Sequence, residues 1–449
     1  MDPNIATVVY STVYVFTSIL VCGMIEKHTS EFFARKLLHI LVGNAVIFPI
    51  IFNADLWAAA LPPLAFIFIN HVLQEFGIFE ADTGLIFYPF SILILVFLSY
   101  LTSNPLYLII PSLLMAYGDA LASIFGRVIF HRSEKSVEGS VIMFLVSLAI
   151  SSFFLTSFSL NPLWSFVIAA VASIAEMERE DNLTVPLYTA VALTGIYAPI
   201  NMLIKGFGIT LIASSLAYYM KALTFTGLAG AVVLGSVIFS ISPPVFLALF
   251  LFFFSSSILT RYKEKEKEGL EDYQKIGKRD AVQVLANGFG AAFGAALMAS
   301  GTQAIGFAIA SIAAATADTW ATELGTLSKR KPVLITTLRE VEKGRSGGIT
   351  PLGLFASLLA GAFIFLALVP FLGIGSFKPA IVGSIFGSLL DSLLGATVQG
   401  TYMCRVCRKI TERRRHCGKA ALLIRGFEWF NNDIVNLVST LLAGALVMI

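Results

Sequence analysis

Apolar windows of roughly 16–22 residues recur along the whole chain, separated by short polar turns. They start near positions 5, 36, 56, 85, 104, 137, 161, 183, 201, 225, 243, 281, 303, 350, 378 and 427, and predict about sixteen transmembrane helices. The ten-residue alternating segments of a membrane β-barrel are not seen. The expected fold class is therefore an all-α polytopic membrane protein. The first run, about residues 5–25, is long enough to span and has no basic leader, so it is expected to be a helix rather than a cleaved signal.

Composition agrees. Of 449 residues, 57% are hydrophobic and only 13% charged, with a mean hydropathy of +0.83, whereas soluble domains carry about 25% charged residues. The net charge of +3 says little, but its placement says more. With the N-terminus outside and strict alternation, only Lys205 and Lys378 of the 31 Lys and Arg face outward. Both termini then lie outside a multi-pass cell-membrane protein whose long polar segments, 261–280, 328–348 and 401–426, face the cytosol. The first of these reads as a helical extension or a solvated linker. Nothing points to a nucleic-acid partner.

Two acids interrupt the apolar pattern. "MAYGDALASIFG" (115–126) carries Asp119 and "TADTWATELG" (316–325) carries Asp318, both within D-x-x-A-x-x-x-G. The surroundings repeat as well. Arg35, His39 and Gly43 have the spacing of Arg279, Gln283 and Asn287. "KSVEGS" (135–140) and "KGRSGG" (343–348) follow the acids. Glu176 and Asp391 come later in the same order, and "DNLTVP" (181–186) and "NNDIVN" (431–436) open the next apolar runs. This order predicts two parallel homologous helical bundles, 1–220 and 221–449, the first with an inserted hairpin at about 53–103.

A carboxylate inside a membrane helix costs several kcal/mol unless it is paired, hydrated or metal-bound. Acids, amides, basic residues and glycines gathered at one face suit a divalent cation and a phosphate-rich nucleotide. Carboxylate and amide oxygens ligate Mg²⁺, and Ser-Gly-Gly turns offer N–H groups to phosphates. No Walker A sequence is present. Cys404, Cys407, His416 and Cys417 form C-x₂-C-x₈-H-C within one loop, which suits either a tetrahedral structural Zn²⁺ or reduced thiols.

With "RKLLH", "YGDALASIFGR", "KSVEGS" and "EMEREDNLTVP", the first half resembles the dolichol kinase and phytol kinase family. The second half, with "LTFTGLAGAVVLG", "DAVQVLANG", "ADTWATELG", "GRSGGIT", "GSLLDSLLGATVQG" and "NNDIVN", resembles the family that includes phytyl-phosphate kinase. The resemblance implies that CTP or another nucleoside triphosphate, with Mg²⁺, phosphorylates an isoprenoid alcohol in the first half. The second half would then convert the monophosphate to the diphosphate. On that expectation Asp119, Glu176 and Asp181 are metal ligands of the first site. Arg35, Lys36, Lys135, Ser136, Glu138, Gly139 and Asn182 bind the nucleotide there, and His39 orients or deprotonates the alcohol, unless it is a structural histidine. In the second site Asp318, Asp391 and Asp433 are the metal ligands, with Arg279, Lys343, Arg345, Ser346, Gly347, Asn432 and Asn436 on the nucleotide. The alternatives are acids that merely pair with basic residues to tie helices together, a cytidylyltransferase making a CDP-lipid, and a transporter.

Overall fold

The computed structural model describes residues 1–76, 83–129, 135–262 and 277–449, and most of them are helical. The bulk of the 261–280 segment, including the expected helical extension, lies outside the described residues. A helix begins within a few residues of each expected start. Among the described residues, ten helical segments are long and apolar enough to cross a membrane, against the sixteen expected, and one of them is the 47-residue stretch Pro351–Thr397. Length accounts for part of the difference, while Pro351–Thr397 counts once although it holds the two helices Pro351–Leu372 and Phe377–Thr397. Trp164–Glu176 and Asn432–Leu446 have 13 and 15 residues, and at about 1.5 Å per residue they fall short of a hydrocarbon core of about 30 Å. An apolar window reports composition, not reach.

The chain packs as two compact units, Met1–Tyr197 and Ala198–Ile449. The sequence boundary at 220/221 differs by one helix: Ile200–Tyr219 packs on Phe225–Ile241 in the second unit. Thr210 Oγ1 and Ser236 Oγ, 2.9 Å apart, join these two helices.

In the first unit the most buried helices are Gly84–Leu101, the run Leu106–Arg127, and Asp181–Thr194. Gly84–Leu101 belongs to the hairpin read as an insertion, yet it is core, and its Ser91 hydroxyl donates to the Asn182 carbonyl. The run that carries Asp119 is not uniform. Leu114–Asp119 forms a π-helical turn, which is rare and re-aims the side chains that follow it.

In the second unit, Ile305–Gly325 is the central helix. Its residues 307–317 are fully buried against small residues of its neighbours. A Cβ on Gly290 would lie 2.8 Å from Ser311 Oγ, and one on Gly294 would lie 2.9 Å from the Ala308 nitrogen. Such contacts let backbones approach where lipid provides no hydrophobic drive. The loops add small antiparallel sheets that an all-α reading omits. Val333–Leu334 pairs with Gly348–Ile349, Thr401–Met403 lies between Ile410–Thr411 and Leu422–Arg425, and Arg415–His416 pairs with Lys419–Ala420.

A Cβ on Gly383 would sit 2.5 Å from both Cα and the carbonyl oxygen of Ala310, backbone atoms that cannot rotate away. Gly383→Ala should therefore destabilise the detergent-solubilised protein by about 1–3 kcal/mol. Gly208→Ala, which meets nothing within 4 Å, should leave the melting temperature unchanged or slightly raised. Equal effects of the two substitutions would contradict this packing.

Candidate functional site

Each unit places its D-x-x-A-x-x-x-G helix against a helix that opens with a hydroxyl N-cap and a glycine three residues on. Ser136 caps Val137–Ser157 by accepting from Gly139 N at 3.2 Å, and Thr350 caps Pro351–Leu372 by accepting from Gly353 N at 3.0 Å. A Cβ on Gly139 would lie 3.5 Å from the Ala122 carbonyl oxygen, and one on Gly353 would lie 3.1 Å from that of Ala321. Likewise Gly126 faces Ser136 Oγ at 3.8 Å and Gly325 faces Thr350 Oγ1 at 3.2 Å. The alanine and glycine of the motif thus mark one helix-crossing geometry, built twice. The pairing of "KSVEGS" with "KGRSGG" is corrected by this match: Thr350-x-x-Gly353 is the counterpart of Ser136-x-x-Gly139. The Arg35 and Arg279 equivalence also shifts, because Arg35 lies inside its helix while Arg279 precedes the N-cap Asp280.

In the first unit Asp119 is buried beside one cation, Lys36, and the imidazole of His39. Lys36 Nζ lies 2.6 Å from Asp119 Oδ2, and His39 Nδ1 lies 3.4 Å from the same oxygen. Ser123 Oγ donates to Oδ1 at 3.3 Å. Tyr88, missed as an ordinary aromatic of an apolar run, packs its ring 4.6 Å from the His39 ring. A second cluster forms where Asp181–Thr194 begins. Lys135 Nζ lies 2.7 Å from Asp181 Oδ2 and donates to the carbonyls of Glu176 and Glu178. Asn182 Nδ2 donates to Asp181 Oδ1 at 2.9 Å, and Ser140 Oγ to Glu176 Oε2 at 3.1 Å. Glu138 sits in the first turn after Ser136, and Arg35 is exposed. The two Lys–Asp pairs have the form of the ion-pair alternative.

In the second unit the expected residues meet around one cavity of about 580 Å³. Asp318, Asp391, Asp433, Asn432 and Asn436 line it together with Arg279, Lys343, Arg345, Ser346 and Gly347. The Asp318 and Asp391 carboxyls lie within hydrogen-bonding reach of each other. Among the described residues, Asp391 Oδ2, Asn436 Oδ1 and Arg345 Nε are buried without a hydrogen-bond partner. Burying such atoms unpaired costs about 1–3 kcal/mol each, more for charged groups. Lys343 Nζ donates to the Ser328 carbonyl at 2.6 Å. Gln283 accepts from Asp280 N at 3.3 Å in a capping box. Gly347 adopts φ +80° and presses on the backbone of Ala396, a position only glycine fills without strain.

Glu412 and Gln399 also line this cavity and were not legible in the sequence. The Ser346 hydroxyl is spent on Glu412 Oε1, and Gln399 Nε2 donates to Oε2 at 2.8 Å. Burial pushes the Glu412 carboxyl up to about 7. Burial, then the charge of Arg345, pulls Arg425 down. The loop cysteines come together as well, with one ligand atom each from Cys404, Cys407, His416 and Cys417 within 4.8 Å of one another.

Comparison with known proteins follows these features. Residues 208–444 match the family described as "Integral membrane protein DUF92". Protein PGR of Arabidopsis thaliana is 34% identical over 235 residues, 45% of this chain and 79% of that protein. An uncharacterized membrane protein of Methanocaldococcus jannaschii is 38% identical over 202 residues, 43% of this chain and 83% of its own length. "Protein VTE6, chloroplastic" of Arabidopsis thaliana is 26% identical over 235 residues, 49% of this chain and 62% of that protein. No solved structure matches.

Because its folded pKa lies above the ordinary 4.5, Glu412 contributes stability that is complete below about pH 4.5 and lost as pH rises through 7. Glu412→Gln keeps an acceptor for Gln399 and can donate to Ser346. Its melting temperature relative to the wild type should therefore climb steadily from pH 5 to pH 8. A difference that does not change with pH would contradict a buried, titrating Glu412.

Proposed function

The chain belongs to the DUF92 family of integral membrane proteins, and from that membership and the lining of its cavity we propose that it is an isoprenoid phosphotransferase. The second unit would pass a phosphoryl group from a Mg²⁺-bound nucleoside triphosphate, CTP by the family resemblance, to an isoprenyl monophosphate. The first unit would make that monophosphate from the alcohol. The observation that carries the reading is the pairing of buried, unpartnered oxygens on Asp391 and Asn436 with the cations Arg279, Lys343 and Arg345 around one cavity. Its volume falls within the range of about 300–1,000 Å³ usual for ligand pockets.

Phosphoryl transfer needs little covalent help from a protein. Positioning and charge neutralisation do most of the work. Asp318, Asp391 and Asp433 would hold Mg²⁺, which would supply charge neutralisation for the phosphates. Arg279 and Arg345 would clamp the donor and acceptor phosphates. An acceptor oxygen attacks the γ-phosphorus, the new P–O bond forms, and the bond to the β,γ-bridging oxygen breaks to release a nucleoside diphosphate. A phosphate acceptor carries no proton that must be removed first. Gln283, which lines this cavity, is not a base and its oxygen already serves a helix cap.

The first unit differs where its acceptor differs. An alcohol must lose a proton, and the imidazole of His39, whose Nδ1 lies 3.4 Å from Asp119 Oδ2, would be the group to take it. Arrival of Mg²⁺-nucleotide would draw Lys36 and Lys135 from Asp119 and Asp181 to the phosphates and free the acids for the metal. Both sites would open to the cytosol, as the distribution of Lys and Arg favours.

Membranes carrying the chain, given CTP, Mg²⁺ and geranylgeraniol, should yield a mono- and then a diphosphate. Asp119→Ala should lower alcohol phosphorylation by about 100-fold or more yet still convert supplied monophosphate. Asp318→Ala should let monophosphate accumulate. A CDP-lipid product, or loss of both steps in either folded variant, would overturn the two-site reading.

A further inference from the structure

Besides the acidic sites, the described residues hold one cluster of metal-ligating side chains, in the loop between Phe377–Thr397 and Asn432–Leu446. Cys407 Sγ is 3.5 Å and Cys417 Sγ 3.2 Å from His416 Nδ1. A tetrahedron with Zn–S of about 2.3 Å and Zn–N of about 2.0 Å sets its corners about 3.5–3.8 Å apart. The four ligand atoms therefore need only small shifts to close around an ion.

The backbone is shaped for the same purpose. The N–H groups of Val406 and Cys407 point at Cys404 Sγ, 3.3 and 3.5 Å away, a pattern that stabilises a thiolate. Arg408 at φ +61° closes the turn, so that Cys404 N donates to the Lys409 carbonyl at 2.9 Å. Cys417 at φ +50° and Gly418 at φ +75° form the second turn. Non-glycine residues in the left-handed region are strained, and a bound cation offsets strain that free thiols do not.

We propose that Cys404, Cys407, His416 and Cys417 bind one structural Zn²⁺ that fixes a wall of the cavity. The first two ligands close the hairpin of Thr401–Met403 with Ile410–Thr411, and the last two lie in the hairpin of Arg415–His416 with Lys419–Ala420. Between the hairpins run Glu412, Arg413 and Arg414, all of which line the cavity. Strands this short are marginal alone, so the metal acts as the staple. Four protein ligands leave no open position, which makes the site structural rather than catalytic. Zn²⁺ with three thiolates and a neutral imidazole carries one negative charge, in a loop rich in arginine and lysine.

The test does not depend on phosphoryl transfer. The full chain, purified without chelators from zinc-supplemented cells, should carry about one zinc per chain by elemental analysis. Cys404→Ser and Cys407→Ser should each retain less than about a tenth of that, while Cys22→Ser retains all of it. On the wild-type protein alone, a mercurial should release the zinc stoichiometrically. Trypsin should then cut after Arg413, Arg414 or Arg415 at least about tenfold faster. Protein without zinc and with freely titrating thiols, a Cys407–Cys417 disulfide, or zinc retained in full by both serine variants would overturn the proposal.

Discussion

A carboxylate inside a helical bundle has to be met by a cation, and each unit of this protein is arranged around that requirement. In the first unit the answer is direct: Lys36 and His39 converge on Asp119, and Lys135 on Asp181. Removing Lys36 would leave the buried Asp119 charge without its cation, so acid and base are supplied together by different helices. In the second unit Asp318 and Asp391 sit side by side, and Asp391 keeps an oxygen without a partner. Two acids placed together, with a cavity before them, are the arrangement that the proposed Mg²⁺ would stabilise.

The helices that present these acids are held by contacts at van der Waals distance. Gly139 on the Ala122 carbonyl and Gly353 on that of Ala321 fix the height of one helix against the next. The following hydroxyl caps, Ser136 and Thr350, then satisfy the N-termini beside the acids. Later in each unit a further cross-helix bond recurs three residues before the next acid. Ser173 donates to the Ser140 carbonyl at 2.9 Å, three residues before Glu176, and Ser357 donates to Ser388 at 2.9 Å, three residues before Asp391. The repetition lies in crossing geometry more than in residue identity, which is why the sequence alignment of the loops slipped by several positions.

How much was legible follows from contrast. Asp119, Asp318, Asp391 and Asn436 stand out because apolar windows surround them, and helix starts follow from turn residues and caps. Span count is less legible than helix position, since composition does not distinguish a 13-residue helix from a full crossing. Tyr88 was hidden because an aromatic in an apolar run carries no signal. Glu412 was hidden for the opposite reason: in a loop dense with arginine, a carboxylate reads as a solvated charge. Only the fold shows that it turns inward to Ser346 and Gln399.

The central claim is that two acidic centres in one chain each grip a cation-bound nucleotide. Manganese, a paramagnetic stand-in for Mg²⁺, tests it most directly through electron paramagnetic resonance of the purified chain titrated with Mn²⁺ and CTP. Two nucleotide-dependent bound ions per chain are predicted, with one lost in Asp119→Ala and the other in Asp318→Ala. A single site, or Mn²⁺ binding indifferent to both substitutions, would contradict the account.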